Sequence, residues 1–246
     1  MRNLMIITKE DFINLIKNPM WIFYATVFPI LLIVILGFLT KDSYSGNINS
    51  YDYYGITLMI YTIISSGMTS SNAFMEGRIK RPNMRIIYAP GSVKVIFLSK
   101  ILACSAFLVI FHLFDMLLLI AIFHIHVSAL PQILTLFILT ELLSNTLGVM
   151  LCCIFKTEAM SNQILSIVIN LMAIFGGLLF SLDGYGAAIR KISSISPAKW
   201  LSSTSFQMIY DHNYSSFIPT VLLLIVGTFI MLIICNITFR KEDCIC

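Results

Sequence analysis

The chain has 246 residues, 58% of them apolar and only 11% charged, with a formal net charge of +4. An ordinary soluble domain carries charge on about 25% of its positions, so this sequence cannot supply the solvated shell that a water-soluble protein needs. The apolar residues are gathered into runs long enough to cross a hydrocarbon core, which takes roughly 20 residues per helix. An all-α, polytopic membrane protein is the expected fold class.

The first nineteen residues precede the first apolar run. Thr8-Lys9-Glu10-Asp11 has the form of a capping box, with Thr8 as the N-cap. Glu10, Asn14 and Lys17 form a polar stripe, and Phe12, Ile13 and Ile16 face away from it. A short amphipathic helix in the membrane interface is predicted, anchored by Phe12, Ile13 and Ile16, with Pro19 interrupting it. The first run is full length and is followed by Thr40-Lys41-Asp42 rather than a small-residue cleavage site, so it reads as a permanent span.

Six spans are predicted, over residues 20–39, 54–74, 95–123, 131–155, 164–182 and 217–239. The third and fourth exceed the length needed, which suggests tilt or continuation beyond the bilayer. Twelve of the sixteen Lys and Arg residues fall on one side of this arrangement and four on the other. The positive-inside rule therefore places both termini, the 75–94 loop and the turn around Lys156 in the cytoplasm, and the 40–53 and 183–216 segments outside.

Between the second and third spans, Pro82 can open a helix and Pro90-Gly91 must end it. About two turns remain, with Met84, Ile87 and Tyr88 on one side and Arg81 and Arg85 on another. Such a helix suits a groove on a cytoplasmic partner, or the basic residues serve topology and anionic lipid. The 183–216 segment is amphipathic, with isoleucines spaced among polar residues, then Pro197, Trp200 and Phe206–Tyr210. Two short helices dipping into the outer interface are expected, with Trp200 and Tyr210 at headgroup level.

Asp115 and Glu141 are the acids deep within apolar runs. An acid facing lipid costs about 2.5–3.5 kcal/mol, so both should face protein or water. His112 lies three residues before Asp115, and Ser144 and Asn145 lie within a turn of Glu141. These neighbours could satisfy the carboxyls within each helix; polar packing or a polar pathway and proton or cation coupling are both open readings. Gly148 and Gly176-Gly177 permit close helix approach. Of six cysteines, four lie in or at the ends of apolar runs and two in the C-terminal tail, which argues against a disulfide framework. The sequence has no Gly-x-x-x-x-Gly-Lys-Ser/Thr phosphate loop, no catalytic grouping and no metal-ligand pattern.

Asn18-Pro19-Met20-Trp21, the stretch Ile86–Ser92 followed by Leu98–Leu102, and Gly176-Gly177 with Ile195-Ser196-Pro197 occur in an order and spacing that resembles the ABC-2 type family of ABC transporter permeases. Arg81-Pro82 stand near where that family often has Gly-Thr. The resemblance covers essentially the full chain. It implies a single transmembrane domain over 1–246, made of an elbow helix (1–19), a six-helix region (20–239) with a cytoplasmic coupling helix and outer re-entrant helices, and a cytoplasmic tail (240–246). It further implies contact of Arg81, Pro82, Met84, Arg85, Ile87 and Tyr88 with a separate ATPase subunit that binds ATP and Mg. A second permease subunit, identical or related, would complete the pathway.

The function expected on this basis is export of an amphipathic or hydrophobic cargo, a peptide toxin or bacteriocin or a drug, across a bacterial cytoplasmic membrane. Neither catalysis by the chain itself nor contact with nucleic acid is expected; membrane lipid is. An ion-coupled secondary transporter using Asp115 and Glu141, and a peptide-sequestering immunity subunit without transport, are the alternatives.

Overall fold

The computed structural model describes residues 2–44, 48–75, 94–125, 127–180, 182 and 186–239. Every regular element among them is helical. Besides one 3-10 turn at Lys41–Ser43, they are α1 (Arg2–Lys17), α2 (Pro19–Leu39), α3 (Ser50–Ser65), α4 (Gly67–Met75), α5 (Lys94–Phe123), α6 (Leu130–Phe155), α7 (Glu158–Gly176), α8 (Gly186–Ser193), α9 (Pro197–Tyr210) and α10 (Phe217–Thr238).

Five of these, α2, α5, α6, α7 and α10, are long and apolar enough to cross a membrane. The sixth run, expected as one span over 54–74, is instead two helices, α3 and α4, that break at Ser66. The run there reads Ser-Ser-Gly-Met-Thr-Ser-Ser-Asn, a set of weak helix formers whose side chains compete for backbone hydrogen bonds. At the break the Ser66 N–H turns tightly back onto Ile63 O. Gly67 lies so close to α6 that a Cβ would stand 2.6 Å from Ser144 O. Close approach to a neighbouring backbone, together with hydroxyl chemistry, interrupts what hydropathy alone reads as continuous.

α6 is the central element. Of its apolar window 61% is buried, against 17% for α10, and α3, α4, α5, α7 and α10 all pack on it. The largest core cluster joins Ile56, Leu58, Met59, Ile60 and Ile63 of α3 to Ile133 and Leu136 of α6 and Leu165 and Ile169 of α7. Gly148 supports the tightest crossing, because any side chain there would strike Gly67 O.

Helix α1 begins at Arg2, six residues before Thr8, which therefore lies inside it and caps nothing. The apolar run Leu4–Ile7 carries the helix upstream through the polar pattern that suggested a start. A true capping box occurs elsewhere, at Asn49 and Asp52, where Asn49 N–H donates to Asp52 Oδ2 at 3.3 Å and opens α3. Pro19 is the first residue of α2 rather than a break within one helix. Asn18 caps it by accepting from Met20 N–H at 3.1 Å. Pro29 cannot donate to the preceding turn, and α2 widens there into a π turn over Phe23–Val27, with Phe28 N–H reaching back to Phe23 O.

α7 runs from Glu158 rather than residue 164, and stops at Gly176 rather than 182. Gly177 ends it in a left-handed conformation, φ 67°, with Leu178 N–H returned to Ala173 O at 2.9 Å. Helix is present at both places expected in the 183–216 segment, as α8 and α9. Leu201, Met208 and Ile209 of α9 are buried in the main core, while Trp200 is 41% exposed and donates from Nε1 to Ser194 O at 2.6 Å.

Candidate functional site

Two features meet at His112 of α5. The first is a polar seam between α5 and α6. Ser105, His112 and Asp115 fall on one stripe of α5, at spacings of seven and three residues, and Glu141 and Asn145 lie one turn apart on α6. His112 Nδ1 stands 2.8 Å from Glu141 Oε2. The ring nitrogen and the carboxyl oxygen share one proton across this contact. Asn145 Nδ2 donates at 3.1 Å both to Glu141 Oε1 and to Ser105 Oγ. Glu141 is 1% exposed and His112 5%.

Asp115 differs. It is fully buried, yet neither carboxyl oxygen has a hydrogen-bond partner. His112, the intrahelical partner that sequence spacing offers it, is turned to Glu141 on the next helix instead. Thr26, in the π turn of α2, brings its hydroxyl toward Asp115 without closing a hydrogen bond of good geometry. Asn145 Oδ1 is likewise without a partner.

The second feature is a cavity of about 640 Å³ between α2, α3, α4, α5 and the start of α7. One wall is aromatic, from Trp21, Tyr24 and Phe28 of α2 with Tyr61 of α3. The other follows the interrupted helix pair and is hydroxyl- and amide-rich, with Thr62, Ser65, Ser66, Thr69 and Asn72. Leu108 and His112 close it on the α5 side, and Glu158 borders it from α7. A lining that combines aromatic rings with hydroxyl and amide groups suits an amphipathic molecule.

Of the residues singled out from sequence, the structure brings His112, Glu141 and Asn145 into direct contact and sets Asp115 beside them. On α1, Phe12 meets Phe107 of α5 edge to face, with ring centroids 6.4 Å apart. Ile13 is half-buried and Ile16 is 42% exposed, whereas Leu15, which the polar stripe did not single out, is 4% exposed in the same cluster. Arg81, Pro82, Met84, Arg85, Ile87 and Tyr88 lie outside the described residues.

Sequence reasoning missed Ser105, the aromatic wall of α2 and the pairing of Asp11 with Lys100, which Ser99 Oγ supports at 3.2 Å from Asp11 Oδ2. An i, i+7 spacing from Ser105 to His112 was the available signal for the first of these.

The comparisons bear on this arrangement. No curated protein matches the chain. The sequence model of the family described as ABC-2 type transporter matches residues 2–210, which takes in α1 to α9 and both features that meet at His112. The chain is a multi-pass membrane protein that belongs to the ABC-2 type transporter family, as a transmembrane subunit of an ABC transporter.

Proposed function

We propose that this chain is the translocating subunit of an ATP-driven exporter, with α3 and α4 together forming a sixth crossing of the membrane. The observation that carries the reading is the cavity of about 640 Å³, bordered by three of the long apolar helices and by the interrupted pair. Its mixed aromatic and hydroxyl lining suits an amphipathic or hydrophobic cargo, such as a peptide toxin, a bacteriocin or a drug.

On this reading the charge bias sets both termini in the cytoplasm of a bacterial cell, and the cargo leaves the cell between two permease subunits. ATP and Mg bind to separate ATPase subunits, which grip Arg81, Pro82, Met84, Arg85, Ile87 and Tyr88. A second permease subunit, identical or related, faces the cavity. α1 serves as the interfacial elbow, with Phe12, Ile13 and Ile16 toward packing and lipid, and α8 and α9 as the outer re-entrant pair. The whole chain, 1–246, acts as one transmembrane domain.

The test is co-purification of the chain with an ATPase subunit, followed by ATPase assays over amphipathic peptides and hydrophobic drugs. Support is a stable complex whose hydrolysis rate rises with one cargo class. Absence of any associated ATPase, with no crosslink from Arg85 or Tyr88, overturns the proposal.

A further inference from the structure

The acids of the α5–α6 seam impose a proton count that transport by ATP alone does not require. Asp115 and Glu141 are both buried within spans, at 0% and 1% exposure, and among the described residues the basic group beside them is His112. An uncompensated charge at that depth is costly, so the proton-loaded form of the cluster is the neutral one. Neutrality for two acids and one imidazole means two titratable protons among three groups. One stays on Asp115, whose oxygens have no other partner. The other is shared between His112 and Glu141 across the 2.8 Å contact.

This second proton has a route to water. His112 borders the 640 Å³ cavity and also a smaller void of about 10 Å³ that touches Glu141. A void of that size is near the lower limit for one water molecule. We propose that Asp115, His112 and Glu141 form an intramembrane proton site that exchanges one proton with the cavity through His112.

Loading balances simply. A hydronium ion in the cavity gives a proton to His112 Nε2, the Nδ1 proton passes to Glu141 Oε2, and neutral His112 and neutral Glu141 remain. Unloading is the reverse and leaves one negative charge on Glu141, held by the His112 Nδ1–H and Asn145 Nδ2 contacts until the next proton arrives. The groups that face this site are few. Cys104 lies on α5 within the field of Glu141, with Lys100 one turn earlier on α5 and its partner Asp11 on α1. Tyr24, Tyr61 and Glu158 border the cavity from α2, α3 and α7, and Thr26 adds a hydroxyl at Asp115. Among the described residues Lys100 is the cation in this set, and Asp11 already pairs with it.

The site does not depend on the cargo or on ATP, so it can be tested apart from the export reading. The full chain is placed in phosphatidylcholine–phosphatidylglycerol vesicles and followed by infrared spectroscopy. A carbonyl band of a protonated acid is expected at neutral pH and below, and it disappears in Asp115→Asn. A second band, lost in Glu141→Gln, should rise as pH falls, and in His112→Gln it should no longer follow pH. Dicyclohexylcarbodiimide, which modifies protonated carboxyls in apolar surroundings, should label Asp115 at least about tenfold more than exposed Asp211, read by peptide mass spectrometry. Native protein with no band assignable to Asp115 and no adduct there overturns the proposal. So does a Glu141 signal whose pH profile His112→Gln leaves unchanged.

Discussion

The ammonium of Lys100, six residues into α5, closes on the carboxylate of Asp11 on α1, with side-chain exposures of 5% and 11%. The pair fixes an amphipathic helix to a long apolar one, beside the edge-to-face contact of Phe12 and Phe107. Removing one partner strands a buried charge. Lys100→Met should lower stability by about 3 kcal/mol, and the double variant Asp11→Leu with Lys100→Met should recover most of the loss. Thermal unfolding of the detergent-solubilised chain measures both. A double variant as unstable as the single one would show that the pair itself, not the stranded charge, sets the cost.

The contact between Gly67 and Gly148 predicts a sharp difference between two glycines. A Cβ at Gly148 would lie 2.0 Å from Gly67 O and 2.6 Å from Ser70 Oγ. Backbone cannot step aside, so Gly148→Ala should cost about 1–3 kcal/mol by overpacking. At Gly227 the nearest atom is Leu143 Cδ1 at 2.9 Å, the end of a flexible side chain. Gly227→Ala should change stability by no more than about 0.5 kcal/mol. Melting temperatures of the two variants in one detergent compare them directly.

These contacts also mark where the sequence was readable. Five long helices follow from runs of apolar residues, because hydrocarbon thickness fixes their length. The break at Ser66 was written in the Ser-, Thr- and Gly-rich run that contains it, but a hydropathy window averages such residues with their apolar neighbours. Asp11 and Lys100 are 89 positions apart, and no local spacing rule joins them. The hydrogen-bond partner of His112 is hidden from the sequence for a related reason. Intrahelical neighbours at three or four residues are visible in a sequence, whereas the choice between Asp115 and Glu141 depends on which face α6 presents to α5.

If the cavity receives cargo, its aromatic wall should matter to affinity more than other exposed rings do. Trp21→Ala and Tyr24→Ala each remove a ring from that wall. Each should raise the cargo concentration needed for half-maximal ATPase stimulation by about tenfold, equivalent to about 1.4 kcal/mol. Trp200, on α9 away from this cavity, provides the control, and Trp200→Ala should leave that concentration unchanged. Equal shifts in all three variants would place the cargo elsewhere.

Gly177 separates backbone strain from crowding. Its φ is 67°, and a Cβ there would meet nothing closer than Phe180 O at 3.4 Å, an ordinary contact. There is room for a methyl group, so any loss in Gly177→Ala comes from the left-handed backbone, at about 1–2 kcal/mol. Asn tolerates that conformation better, and Gly177→Asn should lose distinctly less. Tyr53 donates from its hydroxyl to Gly177 O, and Tyr54 donates to Leu179 O at 3.2 Å, so α3 holds the turn from outside. Because those phenols fix the carbonyls, α7 cannot relieve the strain by unwinding one residue early. Tyr53→Phe combined with Gly177→Ala should therefore lose less than the sum of the two single variants, by about 0.5 kcal/mol or more. Strict additivity in chemical or thermal unfolding would show that the turn is set by α7 alone.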